Sequence, residues 1–324
     1  MKEKITCIVG PIPPPIGGVS IFIKRYCKNL DFDGKKYSLI TFSHYNILNK
    51  VIKLIKLIFY PSFSSFFINS SNINVILLLL LRPYKSKIIY YDHNFRFIEK
   101  LNKVQYLLYK KFLNKIDEFW YVEQKVLDYY EKHKLELRSK KKLINAFIAP
   151  NDLEYELSFF KKNNELNQFL EKHSPSMLLN ASSIAFYKDI DLYGLDIAIE
   201  LLNKLIKDFS SIGLIIAIGK INNNSYYKYI NDLIKEYNLE KHVRIISLKD
   251  EIWPLFTKID LMIRPTFTDG DALSIREALH FGSKVVASNC CKRPTGVIEF
   301  KNRNLQDFYF KVLNLIKSIN CKII

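Results

Sequence analysis

Three acidic residues, Asp269, Asp271 and Glu277, lie within the stretch RPTFTDGDALSIREALHFGSKVVAS, residues 264–288. The pattern indicates a strand, a turn, a helix that Gly282 ends, and a second strand. The amide groups at the start of a helix lack intrahelical acceptors and lie at the positive end of its dipole, so they suit a phosphate group. Glu277, inside the helix, could accept hydrogen bonds from two adjacent hydroxyls, as a ribose presents them. The stretch could therefore bind a ligand that carries both a phosphate and a ribose.

The same residues also allow a purely structural interpretation. Ser274 and Glu277 have the S-x-x-E spacing of a capping box, in which the two side chains bind backbone amides at the helix start. Asp269 or Asp271 could simply cap the helix and interact with its dipole. A turn rich in carboxylates also repels phosphate unless the carboxylates face the sugar. The residues alone leave both interpretations open.

The elements that must position this stretch form a second run of strands and helices. A polar helical segment that ends near residue 173 separates it from the first run, and the predicted strands are SMLLNAS, GLIIAIG, HVRIISL, DLMIRPT and KVVAS. Strands that alternate with helices predict a parallel sheet with right-handed crossovers. The natural site is the cleft between two such units, outside the carboxyl ends of the strands.

The first run has the same alternation, with predicted strands KITCIVG, YSLITFS, NVILLLLL, KIIYYDH and EFWYVE. Its longest apolar run, INVILLLLL at residues 73–81, is about half as long as a membrane-spanning helix and is predicted to be a buried central strand. The N-terminus reads as a strand followed by prolines rather than as a signal peptide. The five cysteines are scattered and contain no CxxC pair, which favours a reducing compartment over a disulfide framework. A cytoplasmic location is therefore expected.

The acidic stretch resembles the nucleotide-sugar signature of glycosyltransferase family 4, a family of retaining enzymes with the GT-B fold. Asp269, Gly270 and Glu277 match that signature, with Asp in place of the usual first Glu. The fuller pattern RPTxxDGDALSxREALxxGxxVVAS…RPxG is similar to a bacterial branch that acts on cell-surface polysaccharides. The resemblance implies an α/β protein with two Rossmann-like domains, whose parallel sheets face an interdomain cleft. Residues 1–165 would form the acceptor-side domain and residues 166–324 the nucleotide-sugar domain, with the last helix a candidate to pack back on the first domain.

The resemblance also implies roles for individual residues. Glu277 would hold the ribose hydroxyls and Asp269 the hydroxyls of the donor sugar, while backbone amides at the helix start would meet the diphosphate. Besides Glu277, the donor-binding residues implied in this stretch are Gly270, Asp271, Ala272, Leu273 and Ser274. The implied catalytic residues are His93, Asp269 and Glu277.

One departure from the family pattern concerns the diphosphate. The family usually opens its second domain with an Arg and, five positions later, a Lys followed by Gly. Here NASSIAFYKDID has Ser183 at the Arg position and keeps Lys188, which Asp189 follows. A departing diphosphate develops negative charge, so a lost cation should lower the rate unless another replaces it. Lys188 alone could also be a solvated side chain, and the candidate replacement cations are Arg264, Arg276 and Arg293.

In the first domain, the loop GPIPPPIGGVS places Gly17 and Gly18 between a strand and a helix. It lacks the spacing of a dinucleotide-binding loop and of a P-loop, so the glycine pair could be only a turn. The resemblance implies that the pair lets the backbone approach the donor phosphate or the acceptor. His93 follows a predicted strand, where a histidine could be structural, and the resemblance implies that it lies near the reacting sugar.

No metal or cofactor is expected, and the nucleoside diphosphate sugar would act as a co-substrate. The six histidines show no metal-ligand spacing, and DGD at residues 269–271 only superficially resembles a DxD triplet. In the family's fold, helix amides and basic groups replace the metal. Metal-independent transfer is therefore predicted.

Positive charge is concentrated in the first half of the chain. Residues 1–150 contain 26 Lys and Arg against 11 Asp and Glu, a net +15, whereas the remainder has a net +2. This asymmetry favours a polyanionic partner, either an anionic membrane or a nucleic acid, although it could be only a solubilising surface. The segment NKVIKLIKLIFY, residues 49–60, spaces Lys50, Lys53 and Lys56 three apart among apolar residues. As a helix it would suit a membrane interface, or equally a buried helix with extended lysines.

Further basic residues in the first half are Lys100, Lys103, Lys110, Lys111, Lys115 and the segment RSKKK at residues 138–142. With them, the first domain could dock on the anionic inner face of the cell membrane as a peripheral protein. The acceptor is expected to be a lipid-linked glycan, such as one carried on polyprenyl diphosphate. No nucleic-acid motif is recognised, so nucleic acid is not expected as a partner.

The sequence therefore predicts a hexosyltransferase that uses a nucleoside diphosphate sugar, with UDP as the carrier. It would act with retention in the biosynthesis of a bacterial surface polysaccharide such as capsule, lipopolysaccharide O-antigen or exopolysaccharide. Two alternatives stay open. One is a sugar-nucleotide epimerase of the same fold, and the other is a non-catalytic protein that binds glycan or nucleic acid.

Overall fold

The computed structural model describes residues 5–13, 16–42, 47–70, 72–93, 95–247, 250–269 and 272–320. The chain divides into two compact units, Met1–Ile148 and Ala149–Ile324. Each unit contains its own six-stranded sheet in which all neighbouring strands are parallel. The predicted parallel α/β architecture is thus confirmed for both halves of the chain.

The N-terminal unit has the strand order β2-β1-β3-β4-β5-β6. Its strands are β1 (Ile5–Val9), β2 (Tyr37–Ile40), β3 (Phe63–Ile68), β4 (Lys87–Asp92), β5 (Glu118–Tyr121) and β6 (Lys140–Leu143). Its helices are α1 (Gly18–Phe32), α2 (Ile47–Phe59), α3 (Ile73–Leu78), α4 (Lys103–Leu113) and α5 (Gln124–Lys132), with short 3-10 helices at Leu79–Leu81 and Phe95–Lys100. Helix α1 packs on one face of the sheet, and α2 to α5 cover the other.

The predicted central strand at INVILLLLL is wrong. These residues form α3 and the 3-10 helix that follows it, and Asn72 caps α3 by accepting a hydrogen bond from the Asn74 amide, 3.2 Å away. The central strand is instead β3, with the sequence FSSFFI, which pairs with β1 on one side and β4 on the other. A continuous apolar run has no periodicity that separates a buried strand from a buried helix, whereas an Asn at its start favours the helix.

The basic segment at residues 138–142 contributes the edge strand β6. Lys142 Nζ lies 2.6 Å from Glu118 Oε2, and Lys87 Nζ lies 2.6 Å from Glu118 Oε1. The hydrogen bonds from Lys142 and Lys87 lower the pKa of Glu118 to about 2. Part of the basic segment is therefore used within the sheet, where lysines also discourage pairing with another chain.

The C-terminal unit has the strand order β11-β10-β7-β12-β13-β14 and a separate antiparallel hairpin, β8-β9. Its strands are β7 (Ser176–Ala181), β8 (Phe186–Tyr187), β9 (Ile190–Asp191), β10 (Gly213–Ile218), β11 (Val243–Ser247), β12 (Leu261–Arg264), β13 (Lys284–Ser288) and β14 (Val297–Phe300). Its helices are α6 (Leu153–Lys162), α7 (Asn164–Lys172), α8 (Leu195–Leu205), α9 (Asn224–Glu236), α10 (Leu273–His280) and α11 (Leu305–Asn320), with a 3-10 helix at Trp253–Thr257. The five strands predicted in this half all form.

Two helices of the C-terminal unit bear on the predicted domain limits. Helix α6 belongs to this unit because Phe159 is buried in its core and the Tyr155 hydroxyl donates to the Glu251 carbonyl, 2.7 Å away. The compact unit accordingly begins at Ala149, whereas the sequence predicts a boundary after residue 165. Helix α11 is held in the same unit, with Phe308 and Val312 fully buried beside α8 and β14.

Candidate functional site

Two arginines and one aspartate form a charged cluster at the carboxyl ends of β12 and β13. Arg264 is the last residue of β12, and Asp269 lies in the loop that follows. Arg264 Nε and Arg293 Nη1 both donate to Asp269 Oδ2, at 3.1 and 3.0 Å. The three side chains are almost entirely buried. Burial alone would raise the pKa of Asp269, but the guanidinium groups of Arg264 and Arg293 outweigh it and hold this pKa below its usual value.

Further hydrogen bonds fix the two guanidinium groups in place. Arg264 Nη1 donates to the carbonyl and the side-chain oxygen of Asn180, at 2.9 and 3.1 Å, next to the end of β7. Arg293 donates to the Ser288 carbonyl at 2.9 Å and to the Thr266 hydroxyl at 3.2 Å. The cluster thus joins three adjacent strand ends. These three side chains together carry one net positive charge, which suits an anionic ligand.

Helix α10 begins beside this cluster. Its N-cap residue is Ala272, whose methyl group cannot accept a hydrogen bond from the helix amides. Ser274 is therefore the second residue within the helix and Glu277 the fifth. A capping box would need Ser274 at the cap itself, so the capping-box interpretation is wrong. Gly270 and Asp271, predicted to line this helix start, lie outside the described residues.

The side chain of Glu277 is buried within α10, where the residue is only 5% exposed. Ser274 is buried as well, while Leu273 and Arg276 are half-buried. Carboxylates seldom occupy buried helical positions, so this placement is more typical of a residue that serves a site than of a solvated helix face. Residues 272–277 are the described part of the predicted donor site. They come a few positions after Asp269 in the chain and form the start of α10.

Lys188 lies at the exposed tip of the β8-β9 hairpin. The hairpin packs against the loop that carries Asp269, because the ring centroids of Tyr187 and Phe267 are 6.2 Å apart and the Phe267 amide donates to the Leu192 carbonyl at 2.9 Å. The structure therefore brings the Lys188 hairpin to the same loop as the charged cluster. Ser183, at the family's Arg position, is half-buried in the segment before the hairpin.

A second group of polar side chains lies at the carboxyl end of the N-terminal sheet. His93 follows β4, and Asn69 follows β3; His93 Nε2 lies 3.0 Å from Asn69 Oδ1. Burial lowers the pKa of His93 to about 3, so its ring is neutral near pH 7. Both residues line a cavity of about 350 Å³, together with Gly10 and the buried carboxylate of Asp92. This cavity is large enough for one sugar unit.

Asn69 was not predicted as a site residue. It is only 2% exposed, and its amide nitrogen has no hydrogen-bond partner among the residues that the structure describes. A buried amide donor without a partner is costly unless a ligand or water satisfies it. The sequence signal would have been a polar residue directly after a buried strand, but that signal depends on placing β3 correctly.

Gly17 and Gly18 lie where α1 begins. Gly17 is the extended N-cap residue, and its amide donates to the Ser20 hydroxyl at 3.0 Å. Among the described residues, a Cβ atom added to Gly18 would meet nothing within 4 Å, and one added to Gly17 would meet only Ser20 Oγ at 3.9 Å. Neither position needs glycine for internal packing or for a left-handed backbone. As far as the described residues show, the glycine pair instead leaves space in front of the helix start, beside Val19, which lines the cavity.

Neither a metal site nor a membrane-spanning helix is found in the described parts of the chain. No three or more His, Cys, Asp or Glu side chains come together there in a way that could hold a metal ion. No helix in the same residues is both long enough and apolar enough to cross a bilayer. Metal-independent chemistry stays a prediction.

Residues 162–320 match the model of the family described as glycosyl transferases group 1. No match was found among curated protein sequences. The matched segment contains the charged cluster, the β8-β9 hairpin and α10, whereas the cavity beside His93 lies outside it.

Solved structures resemble nearly the whole chain. HepE (Alr3699) of Anabaena in complex with UDP-glucose has a TM-score of 0.68 and 12% identity, over 98% of this chain and 91% of that one. Sucrose-phosphate synthase of Thermosynechococcus elongatus has a TM-score of 0.67 and 11% identity, over 98% and 90%. WaaG, a glycosyltransferase involved in lipopolysaccharide biosynthesis, has a TM-score of 0.60 and 14% identity, over 97% and 90%. The chain has the two-domain α/β GT-B fold, and its C-terminal half is similar to the group 1 glycosyl transferases.

Proposed function

We propose that this protein transfers a hexose from a nucleoside diphosphate sugar, with UDP as the carrier, to a growing glycan. The observation that carries the proposal is the Arg264–Asp269–Arg293 cluster beside the start of α10, inside the segment that matches the group 1 model. The structures of HepE with UDP and with UDP-glucose support UDP as the carrier. The C-terminal unit would bind the donor.

The positive groups of this unit are suited to the leaving diphosphate. Cleavage of the sugar–phosphate bond builds negative charge on the diphosphate, and fixed cations and amides stabilise that charge without reorganising. In the proposed mechanism, the amides from Ala272 to Ser274 bind the diphosphate, and Arg264 and Arg293 provide the nearby excess charge. Lys188, which the family pattern keeps, adds an exposed cation from the hairpin, and Arg264 and Arg293 would offset the Ser183 departure.

The carboxylates would position the donor. We assign the ribose hydroxyls to Glu277 and the hydroxyls of the donor sugar to Asp269. The two arginines hold Asp269 ionised and fixed, so it can accept hydrogen bonds without first being oriented. Transfer with retention, as in family 4, needs no side-chain nucleophile in this scheme. The positioning of donor and acceptor and the stabilisation of the leaving diphosphate would account for the rate acceleration.

The N-terminal unit would bind the acceptor in the cavity beside His93. If Nε2–H of His93 donates to Asn69 Oδ1, then Nδ1 of the neutral ring can accept a hydrogen bond from a sugar hydroxyl. The Asn69 amide nitrogen can donate to a second oxygen of the same ligand. Two such groups would orient a sugar without adding charge.

The acceptor that we propose is a lipid-linked glycan in the biosynthesis of a bacterial surface polysaccharide. The excess positive charge of residues 1–150 would favour a diphosphate-linked lipid at the inner face of the membrane. The fold shared with WaaG, which is described as involved in lipopolysaccharide biosynthesis, agrees with this role. The protein would then be a cytoplasmic, peripherally bound enzyme.

A donor panel tests the proposal. Purified protein is offered UDP-, GDP- and ADP-sugars, and the thermal shift and nucleotide release are compared for wild type, Glu277→Ala and Glu240→Ala. Glu240 is an exposed residue of the same unit and serves as the matched control. We expect a UDP-sugar to stabilise the wild type and the control but not Glu277→Ala. No shift with any donor, or an equal shift in all three proteins, would contradict the proposed site, and conversion of donor without acceptor would indicate an epimerase.

A further inference from the structure

A stripe of exposed apolar side chains runs along α2. Its five members are 43–67% exposed and follow the spacing i, i+3, i+4, i+7 and i+11, which places them on one side of the helix. They are Leu48, Val51, Ile52, Ile55 and Phe59. The opposite side of α2 is anchored, since Leu57 is fully buried in the core of the N-terminal unit. Helix α2 therefore packs on the sheet with one apolar side and turns a second apolar side to the solvent.

The described lysines of α2 do not cover this stripe. Lys53 Nζ donates to the Thr41 carbonyl, 3.0 Å away. Lys56 Nζ lies 5.4 Å from the centroid of the Tyr60 ring and 5.8 Å from that of Phe63. Both lysines are thus held against the N-terminal unit itself. The apolar stripe, rather than the basic one, is the part of the helix left for a partner.

The helices that neighbour α2 also carry exposed apolar residues. Helix α3 and the 3-10 helix after it contact both α2 and α4, and Lys115 Nζ, after α4, donates to the Leu80 carbonyl. Exposed apolar residues of these neighbours are Leu81, Tyr84, Val104 and Leu107. Exposed lysines of α4 are Lys103, Lys110 and Lys111. We call this combined surface, from the α2 stripe to the exposed side of α4, the α2–α4 face.

We propose that the α2–α4 face docks on an anionic lipid bilayer, with the α2 stripe among the acyl chain ends and the α4 lysines at the phosphates of the headgroups. An apolar stripe flanked by lysines is the pattern by which helices bind a membrane interface. The net +15 of residues 1–150 favours an anionic partner and opposes a second copy of the same basic unit. The inference rests on the proposed function in one respect: docking would give the enzyme access to a lipid-linked acceptor.

The test is co-sedimentation of the full-length protein with phosphatidylcholine vesicles, with and without about one-third phosphatidylglycerol. The apolar variant is the double substitution Ile52→Ser and Ile55→Ser, and the basic variant is Lys110→Ala and Lys111→Ala. The control is Phe310→Ser, an equally exposed apolar residue of the C-terminal unit. These side chains are exposed, so all variants should fold, and thermal melting checks this.

We expect binding to the phosphatidylglycerol vesicles, with the partition coefficient reduced roughly tenfold or more by the apolar variant. The basic variant should reduce it severalfold, with further loss at high salt, while the control leaves it unchanged. Absence of binding, or binding that the apolar variant leaves intact, would overturn the proposal. Sedimentation velocity that shows a dimer lost in the apolar variant would also overturn it, because the face would then join two copies.

A second readout separates this inference from the proposed function. UDP-sugar stabilisation of the same variants is measured without vesicles. If a variant loses vesicle binding but is still stabilised by the UDP-sugar, docking by the α2–α4 face is supported. A protein that binds vesicles but no donor would instead refute the proposed function and leave the docking inference standing.

Discussion

The two units of this protein share one sheet architecture but place their charges differently. In the C-terminal unit, Arg264 and Arg293 enclose Asp269 at the strand ends, although the unit as a whole is nearly neutral. In the strongly basic N-terminal unit, the residues after β3 and β4 are Asn69 and a neutral His93. The net charge of a unit therefore does not locate its site. Each site instead follows from the side chains that its strand ends bring together.

The largest expected effect comes from removing the carboxylate of the charged site. Asp269→Ala leaves Arg264 and Arg293 buried without their shared partner, which typically costs about 3–5 kcal/mol. We expect the free energy of unfolding in urea to fall by about that amount. Because the folded-state pKa of Asp269 is below its usual value, its contribution is complete above about pH 4 and is lost as the pH falls through the lower folded-state pKa. The variant should lack this acid-sensitive part.

The matched control for this variant is Asp232→Ala, because Asp232 is exposed on α9. Its free energy of unfolding should change by less than about 0.5 kcal/mol. A loss in Asp269→Ala no larger than that of the control would show that the cluster is not a buried ion-pair network.

The neutral site should respond to acid in a different pH range. Burial lowers the pKa of His93 from 6.5 to about 3, so the unfolded chain takes up this proton before the folded one does. The stability that neutral His93 contributes is complete above pH 6.5 and is lost as the pH falls towards 3, at about 1.4 kcal/mol per pH unit. We expect His93→Gln to lack this loss in urea titrations at several pH values. Exposed His280, changed to Gln, is the control, and equal pH dependence in the two variants would contradict a neutral, half-buried His93.

A smaller effect is expected at the start of α1, where a substitution can show whether Gly18 is needed for internal packing or leaves space for a ligand. A Cβ atom at Gly18 meets none of the described residues within 4 Å, so we expect Gly18→Leu to change the free energy of unfolding by less than about 1 kcal/mol. The new side chain would fill the space in front of the α1 amides, and kcat/KM for sugar transfer should fall about tenfold or more. Gly10→Ala is the contrast: its Cβ would overlap Ile23 Cδ1, so this variant should be less stable. Unchanged transfer by Gly18→Leu would show that no substrate uses this space.

The smallest effect concerns the tip of the β8-β9 hairpin. Lys188 and Asp189 both have left-handed backbone angles, with φ of 51° and 61°. Glycine adopts this conformation without a Cβ penalty, so Asp189→Gly should raise the free energy of unfolding by about 0.5–1 kcal/mol. Urea titration measures the change, and a loss of stability would mean that the Asp189 side chain supports the turn.

Most of the C-terminal unit was predictable from the sequence because its strands are short apolar runs with polar flanks. The prediction failed at residues 73–81, where an unbroken apolar run hides its period, and β3 was missed as a consequence. Asn69 could not be recognised as a site residue without β3. The sequence pattern therefore pointed to candidate site residues where the strands could be recognised, and it missed Asn69 where the strand could not.

The Arg264–Asp269–Arg293 cluster shows a second limit. All three residues were candidates, but as separate ligands of the donor. Their mutual pairing depends on the ends of β12 and β13 lying side by side, which links residues 24 positions apart along the chain. Contacts of this kind follow from the sheet order rather than from any spacing in the sequence.

The most direct test of the central claim is a calorimetric titration of UDP-glucose into the full-length protein in the presence of EDTA, for wild type and Glu277→Ala. We predict binding to the wild type with a Kd on the order of 10–100 μM, and a loss of binding in the variant. Equal binding by the two proteins would show that the donor does not bind at Glu277 of α10. No binding to the wild type, with or without added divalent metal, would contradict the assignment of the C-terminal unit as a UDP-sugar site.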